Sequence, residues 1–111
     1  MSAINFDQLF DQLKTGAETV AHDTLKDYET EAKQDGQQAL VNIKGNLQQW
    51  TQELETGSIT REDLEDLLEE EEELTKMIAL KQAGLAEVHI DEFRNGLINM
   101  IVGTITGLVK V

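Results

Sequence analysis

The chain has 111 residues, with 22 acidic side chains against 9 basic ones and a net charge of −13. That length holds one domain at most, and so large an acidic excess repels phosphates, which excludes nucleic acid and disfavours anionic lipid headgroups. The absence of cysteine removes disulfides, thiol catalysis and thiolate metal sites and suits a cytoplasmic protein; the absence of proline means that no residue forces a helix to end.

In the first half, Phe6, Ala17, Tyr28, Ala39 and Trp50 are spaced by 11, as are Phe10, Ala21, Ala32, Ile43 and Leu54. Eleven residues in three turns is close to the α-helical period, so both columns stay on one face. The spacing predicts one helix over about 4–55, with Tyr28 and Trp50 in its core column. Gly16, Gly36 and Gly45 interrupt it without shifting the apolar phase, each costing about 1 kcal/mol relative to Ala. Lys14-Thr15-Gly16 resembles a helix stop, so a kink is expected near Gly16. The period is similar to that of the lipid-surface repeats of exchangeable apolipoproteins and synucleins. Those repeats place Lys regularly on the polar face, whereas here that face is acidic and Phe and Trp stand in the apolar columns, so no family is assigned.

Gly57 suits a left-handed helix end. Thr60 is then the N-cap of a second helix, with Asp63 three residues on and acids crowding the first turn. Leu64, Leu67, Leu68, Leu74, Ile78 and Leu85 mark this helix over about 60–85, and it should fail near Gly84. Residues 85–90 alternate like a strand too short to build a sheet. Asp91 is the expected N-cap of a third helix over about 92–109, in which Phe93, Leu97, Met100 with Ile101, and Leu108 repeat at helical spacing. Many β-branched residues here, Val111 among them, argue for a strand, but a lone strand has no sheet to join.

The fold class expected is all-α: a long antiparallel helical hairpin turning at residues 57–58. That register puts Ile105 beside Phe10, Val109 beside Phe6, Ile90 beside Leu25 and Ala83 beside Ala32. Glutamates 69–73 come beside Asn42, Lys44, Gly45 and Asn46. The first limb would be roughly 75 Å long, too thin to bury a core alone. It needs a second copy, or a fold-back at Gly16 or Gly36 into a bundle of three or four helices. The expectation is a homodimer forming an antiparallel bundle.

Residues 95–109 carry no charge. They fall short of the roughly 20 apolar residues of a membrane span, and Gly103 and Gly107 form a GxxxG pair that permits close helix approach. This assigns Phe6, Phe10, Leu97, Ile101, Gly103, Ile105, Gly107 and Leu108 to a helical interface. Glutamates 69–73 point all round a helix and cannot converge on one metal ion; their mutual repulsion should raise their pKa values. His22 and His89 lack the paired Glu-x-x-His of a bundle di-metal site, and Ala32 stands where a calcium loop after Asp27 would need Gly. Ser2 and Ser58 lie in no nucleophile elbow, and no phosphate-binding loop is present. No metal, cofactor or catalysis is therefore expected. The start MSAINFD does not read as a secretory signal. The function expected is a non-catalytic helical oligomerisation or protein-interaction module with an acidic surface. The alternative is a lipid-associated protein docking through residues 93–111 with Phe6 and Phe10.

Overall fold

A computed structural model describes residues 4–109 of the chain; Met1, Ser2, Ala3, Lys110 and Val111 lie outside the described residues. Among the described residues all regular structure is helical. Helix α1 (Phe6–Thr24) leads through a 3-10 turn (Lys26–Tyr28) into α2 (Glu29–Asn42) and α3 (Lys44–Glu55). A third limb holds α4 (Arg61–Glu70), α5 (Glu73–Lys76) and α6 (Ile78–Gln82), and α7 (Glu87–Val109) closes the fold.

The chain runs up, down, up and down. Glu18 reaches Gln37 (2.9 Å) and Lys33 (3.9 Å) while His22 reaches Glu29 (3.3 Å), so α1 and α2 are antiparallel. Gly16 meets Met100 and Gly96 meets Val20, so α1 and α7 are antiparallel too. Asn42 donates to Glu73 at 2.9 Å, and Ala79 and Leu80 donate to Asp35, which sets α2 against the third limb. The α1–α2 pairing folds the first limb back on itself, so the chain is not the two-limbed hairpin expected from the sequence. The radius of gyration is 13.8 Å and the extents are 46 × 23 × 20 Å, close to the roughly 13 Å of a compact chain this long. The core of Leu13, Leu47, Leu68, Leu80, Phe93 and Ile101, with their neighbours, is buried within one chain. A second copy is thus not required to cover it.

The unbroken helix over 4–55 is corrected: the chain bends at Leu25, not at Gly16. At the end of α1 the Thr24 hydroxyl donates back to the Val20 carbonyl at 2.6 Å. Leu25 leaves helical geometry (φ −134°, ψ 61°) and turns its side chain inward. The short 3-10 turn then restarts the helix nearly in phase. Both 11-residue columns consequently stay inward on either side of the bend, with Phe6 and Tyr28 half-buried and the rest buried. Gly16 lies mid-helix, where a β-carbon would sit 2.5 Å from the Met100 sulfur. It is needed there for close approach, not for a kink.

The second helix is also corrected. Its start is as expected: the Thr60 hydroxyl accepts from the Asp63 amide (3.1 Å) and the Asp63 carboxylate accepts from the Thr60 amide (2.9 Å). Gly57 is left-handed (φ 78°). The helix does not run to residue 85, however. Glu71 is extended (φ −72°, ψ 114°) and Met77 is left-handed (φ 39°, ψ 52°). Glu69 and Glu70 sit at the negative end of the α4 dipole with no basic residue in that turn. Continuing the helix would stack glutamates upon glutamates. The third helix starts at Glu87, not 92, after left-handed Gly84 (φ 83°). Asp91 is therefore an exposed residue within α7 rather than its cap, and residues 85–90 form no strand.

Candidate interaction surfaces

The acidic limb comes first. Between Glu62 and Glu73 stand nine acids, and cations meet them only at the ends: Arg61 pairs with Glu65 (3.6 Å) and Lys76 with Glu73 (2.8 Å). Arg94 of α7 approaches the middle, but its Nη2 donates to the Glu69 carbonyl at 2.6 Å. It satisfies the open carbonyl end of α4. Among the described residues no ion pair reaches Asp66, Glu69, Glu70 or Glu72. The Glu73 carboxylate accepts from Lys76 and from Asn42, and these bonds, Lys76 foremost, hold its pKa below the ordinary value. That direction is opposite to the rise expected for the run from self-repulsion. The Lys76 ammonium is correspondingly raised, chiefly by its bond to Glu73.

Beside this limb lies a groove of about 180 Å³ between α2 and α5–α6. It exists because the chain breaks at Met77. Left-handed backbone at a non-glycine residue costs about 1–2 kcal/mol, and two contacts hold it. The Met77 side chain is buried. Asp35, buried on α2, accepts the Ala79 amide on Oδ1 (2.9 Å) and the Leu80 amide on Oδ2 (2.8 Å). Asp35 thus caps α6 from another helix, and the α6 amides compensate its buried charge. Gln38 donates to Asn42 (3.0 Å), and Asn42 to Glu73, along one wall; Ile78, 57% exposed, forms part of the opposite rim.

A third surface joins the outer sides of α1 and α7. Asn95, Asn99, Gly103 and Gly107 are spaced by four along α7 and lie on its outside or at its margin. Leu108 lines a shallow hollow of about 160 Å³ together with Asn5, the N-cap of α1, and Gln8 and Gln12; Thr15 and Thr19 continue that uncharged, exposed column by helical spacing. A β-carbon at Gly103 or Gly107 would meet nothing within 4 Å, whereas one at Gly96 would lie 3.0 Å from Val20. Gly16 and Gly96 therefore serve contacts inside the chain, and Gly103 and Gly107 do not.

The residues expected at an interface separate accordingly. Phe10, Leu97, Ile101 and Ile105 are buried in the chain's own core, and Phe6 is half-buried 6.1 Å from the Phe10 ring. Gly103, Gly107 and Leu108 face outward. Lys44 (4.8 Å) and Lys14 (5.8 Å) stand over the Phe10 ring. Trp50 is a core residue. His22 is exposed beside Glu29, and His89 is exposed 3.8 Å from Glu92. Among the described residues no group of three or more metal-binding side chains converges, and no helix is long and apolar enough to cross a membrane.

The groove was missed by sequence reasoning, yet a signal for Asp35 existed. It falls in the inward phase between Ala32 and Ala39, where an acid needs a buried partner. Nothing around Met77 marks a chain break. Comparison with known proteins finds no matching family model, curated protein or solved structure.

Proposed function

We propose that this is a non-catalytic helical interaction protein that pairs weakly with a second copy through the uncharged α1–α7 face and presents its acidic third limb to a cationic protein surface. The observation that carries the reading is the segregation of charge. A molecule of net charge −13 repels its own copies everywhere except where it is neutral, and the outer column of α1 with the stripe 95–108 of α7 is such a face. Its extent limits the strength of pairing. About 14 residues of two adjacent helices cover roughly 400 Å², half of the about 800 Å² per partner of a standard stable interface. The pairing is therefore weak and concentration-dependent. The acids of α4 whose charges are not paired within the chain supply the steering field for a basic partner.

Light scattering across protein concentration and salt tests the pairing. Molar mass should rise towards a dimer with concentration, more readily at high salt, where repulsion between copies is screened. Gly103→Arg should hold the chain monomeric without unfolding it, because Gly103 has open space around it. A monomer at every concentration and salt would refute this part. Binding of a tetra-lysine peptide that weakens with salt and on the double change Asp66→Lys, Glu70→Lys tests the acidic limb; absence of binding would refute that part. The lipid-docking alternative draws on exposed Leu108 and would show as flotation of the chain with neutral liposomes.

A further inference from the structure

The groove between α2 and α5–α6 is below the roughly 300 Å³ at which pockets for drug-sized ligands begin. It suits a single long side chain. Its walls are apolar at Ala39, Met77, Ile78 and Ala79, while carboxylates stand at its floor (Asp35) and rim (Glu73). The hydrogen bonds already made leave open acceptors, beside spare amide N–H groups such as those of Gln34 and Gln82. Each Asp35 oxygen takes one backbone amide and retains lone-pair capacity. Gln38 spends an amide N–H on Asn42, and Asn42 spends one on Glu73, so the Gln38 carbonyl oxygen stays open. Lys76 is the one cation of the groove lining and is bonded to Glu73.

An occupant with an apolar stem, several donors and a positive charge matches the apolar walls, the two carboxylates and the open amide oxygens. Arginine has this form, and its planar fork matches dispersed acceptors better than the point charge of lysine. We propose that this groove is a receptor for an arginine side chain of a cationic partner, its stem along Ile78 and Ala39 and its guanidinium towards Asp35, Glu73 and the Gln38 carbonyl. This deepens the acidic-surface reading and rests on it: the limb attracts a basic segment, and the groove selects arginine within it.

The test is NMR titration of the full isotope-labelled chain with end-blocked tetra-arginine and tetra-lysine peptides at equal ionic strength. Tetra-arginine should bind about tenfold more tightly, the size of one charge-assisted hydrogen bond, and should shift the Ala79 and Leu80 amides and the Gln38 side-chain amide. Gln38→Lys, at an exposed position, should bring tetra-arginine down to the tetra-lysine level. Ile78→Ala should reduce the preference in the same direction by removing the stem contact. The pair Asp66→Lys, Glu70→Lys should weaken both peptides alike and keep their ratio. Equal affinities, with shifts confined to residues 62–73 of the acidic limb, would overturn the groove proposal and leave the acidic-surface reading standing. If neither peptide binds, the acidic-surface reading fails and the groove proposal with it.

Discussion

Two of the antiparallel seams in this bundle are built differently. Between α1 and α7 the helices are long and unbroken, and small residues let them approach: Gly16 under Met100, Gly96 under Val20. Between α2–α3 and the third limb the partner is three short helices, tied by Asn42–Glu73 (2.9 Å), Asn46–Glu71 (3.2 Å) and the Asp35 cap. Apolar periodicity alone keeps the first seam straight. In the second, leucines supply the burial, but where the chain breaks is set by charge repulsion and by the polar groups that receive the freed amides. Hydrophobic pattern thus locates a limb, and polar chemistry decides whether it stays one helix.

Removing burial from the first seam should have the largest effect. Phe93→Ala should destabilise by about 3–5 kcal/mol, since Phe93 is fully buried. Glu70→Ala on the exposed limb should stay within about 0.5 kcal/mol. Comparable losses in urea unfolding for both would mean that the seams do not differ as described.

Next comes the cap. Asp35→Ala strands the Ala79 and Leu80 amides and should cost about 1–3 kcal/mol. Hydrogen exchange at those two amides should accelerate while exchange at Leu97 and Ile101, monitored under native conditions, changes far less. Uniform acceleration would show one cooperative unit instead of two unequal seams.

Glycine substitutions should separate. Gly16→Ala forces Met100 to move and should cost about 1–3 kcal/mol from overpacking, offset in part by about 1 kcal/mol of helix propensity. Gly103→Ala meets nothing in its own chain and should gain roughly 0.5–1 kcal/mol. Thermal midpoints measured at one dilute concentration should therefore rise for Gly103→Ala and stay level or fall for Gly16→Ala.

The smallest effect is electrostatic. Glu73 has a lowered pKa in the folded protein, so it contributes stability above its unfolded value and loses it as pH falls through the folded one. Glu73→Gln should be slightly less stable than the parent at neutral pH. The gap should close as the pH drops through and below the ordinary carboxylate range. A gap that widens on acidification would reverse the assigned direction.

The helical class, the Thr60–Asp63 start, the Gly57 and Gly84 turns and the inward columns could all be read from the sequence, because each rests on local chemistry or on period. The bend at Leu25 could not. It uses neither Gly nor Pro, and a three-residue turn preserved the phase that a break normally disturbs. The groove stayed hidden for a related reason: its floor and its roof are separated by more than forty residues, and only the fold brings Asp35 to the start of α6. Gly103, Gly107 and Leu108 stand exposed, whereas Phe10, Leu97, Ile101 and Ile105, grouped with them from the sequence, went to the core, since one chain folded twice can satisfy the same pattern as two chains side by side.

The cap that Asp35 places on α6 also sets an order of events. A five-residue helix is far below the roughly 12–15 residues at which an isolated helix becomes marginal in water. Segment 78–82 therefore has no reason to coil until α2 is in place. During synthesis α2 is made first, so the carboxylate waits for its amides rather than the reverse. In refolding, α5 and α6 are then expected to form late, after α2 is in place. Substitution at Asp35 should then speed unfolding while leaving the folding rate nearly unchanged.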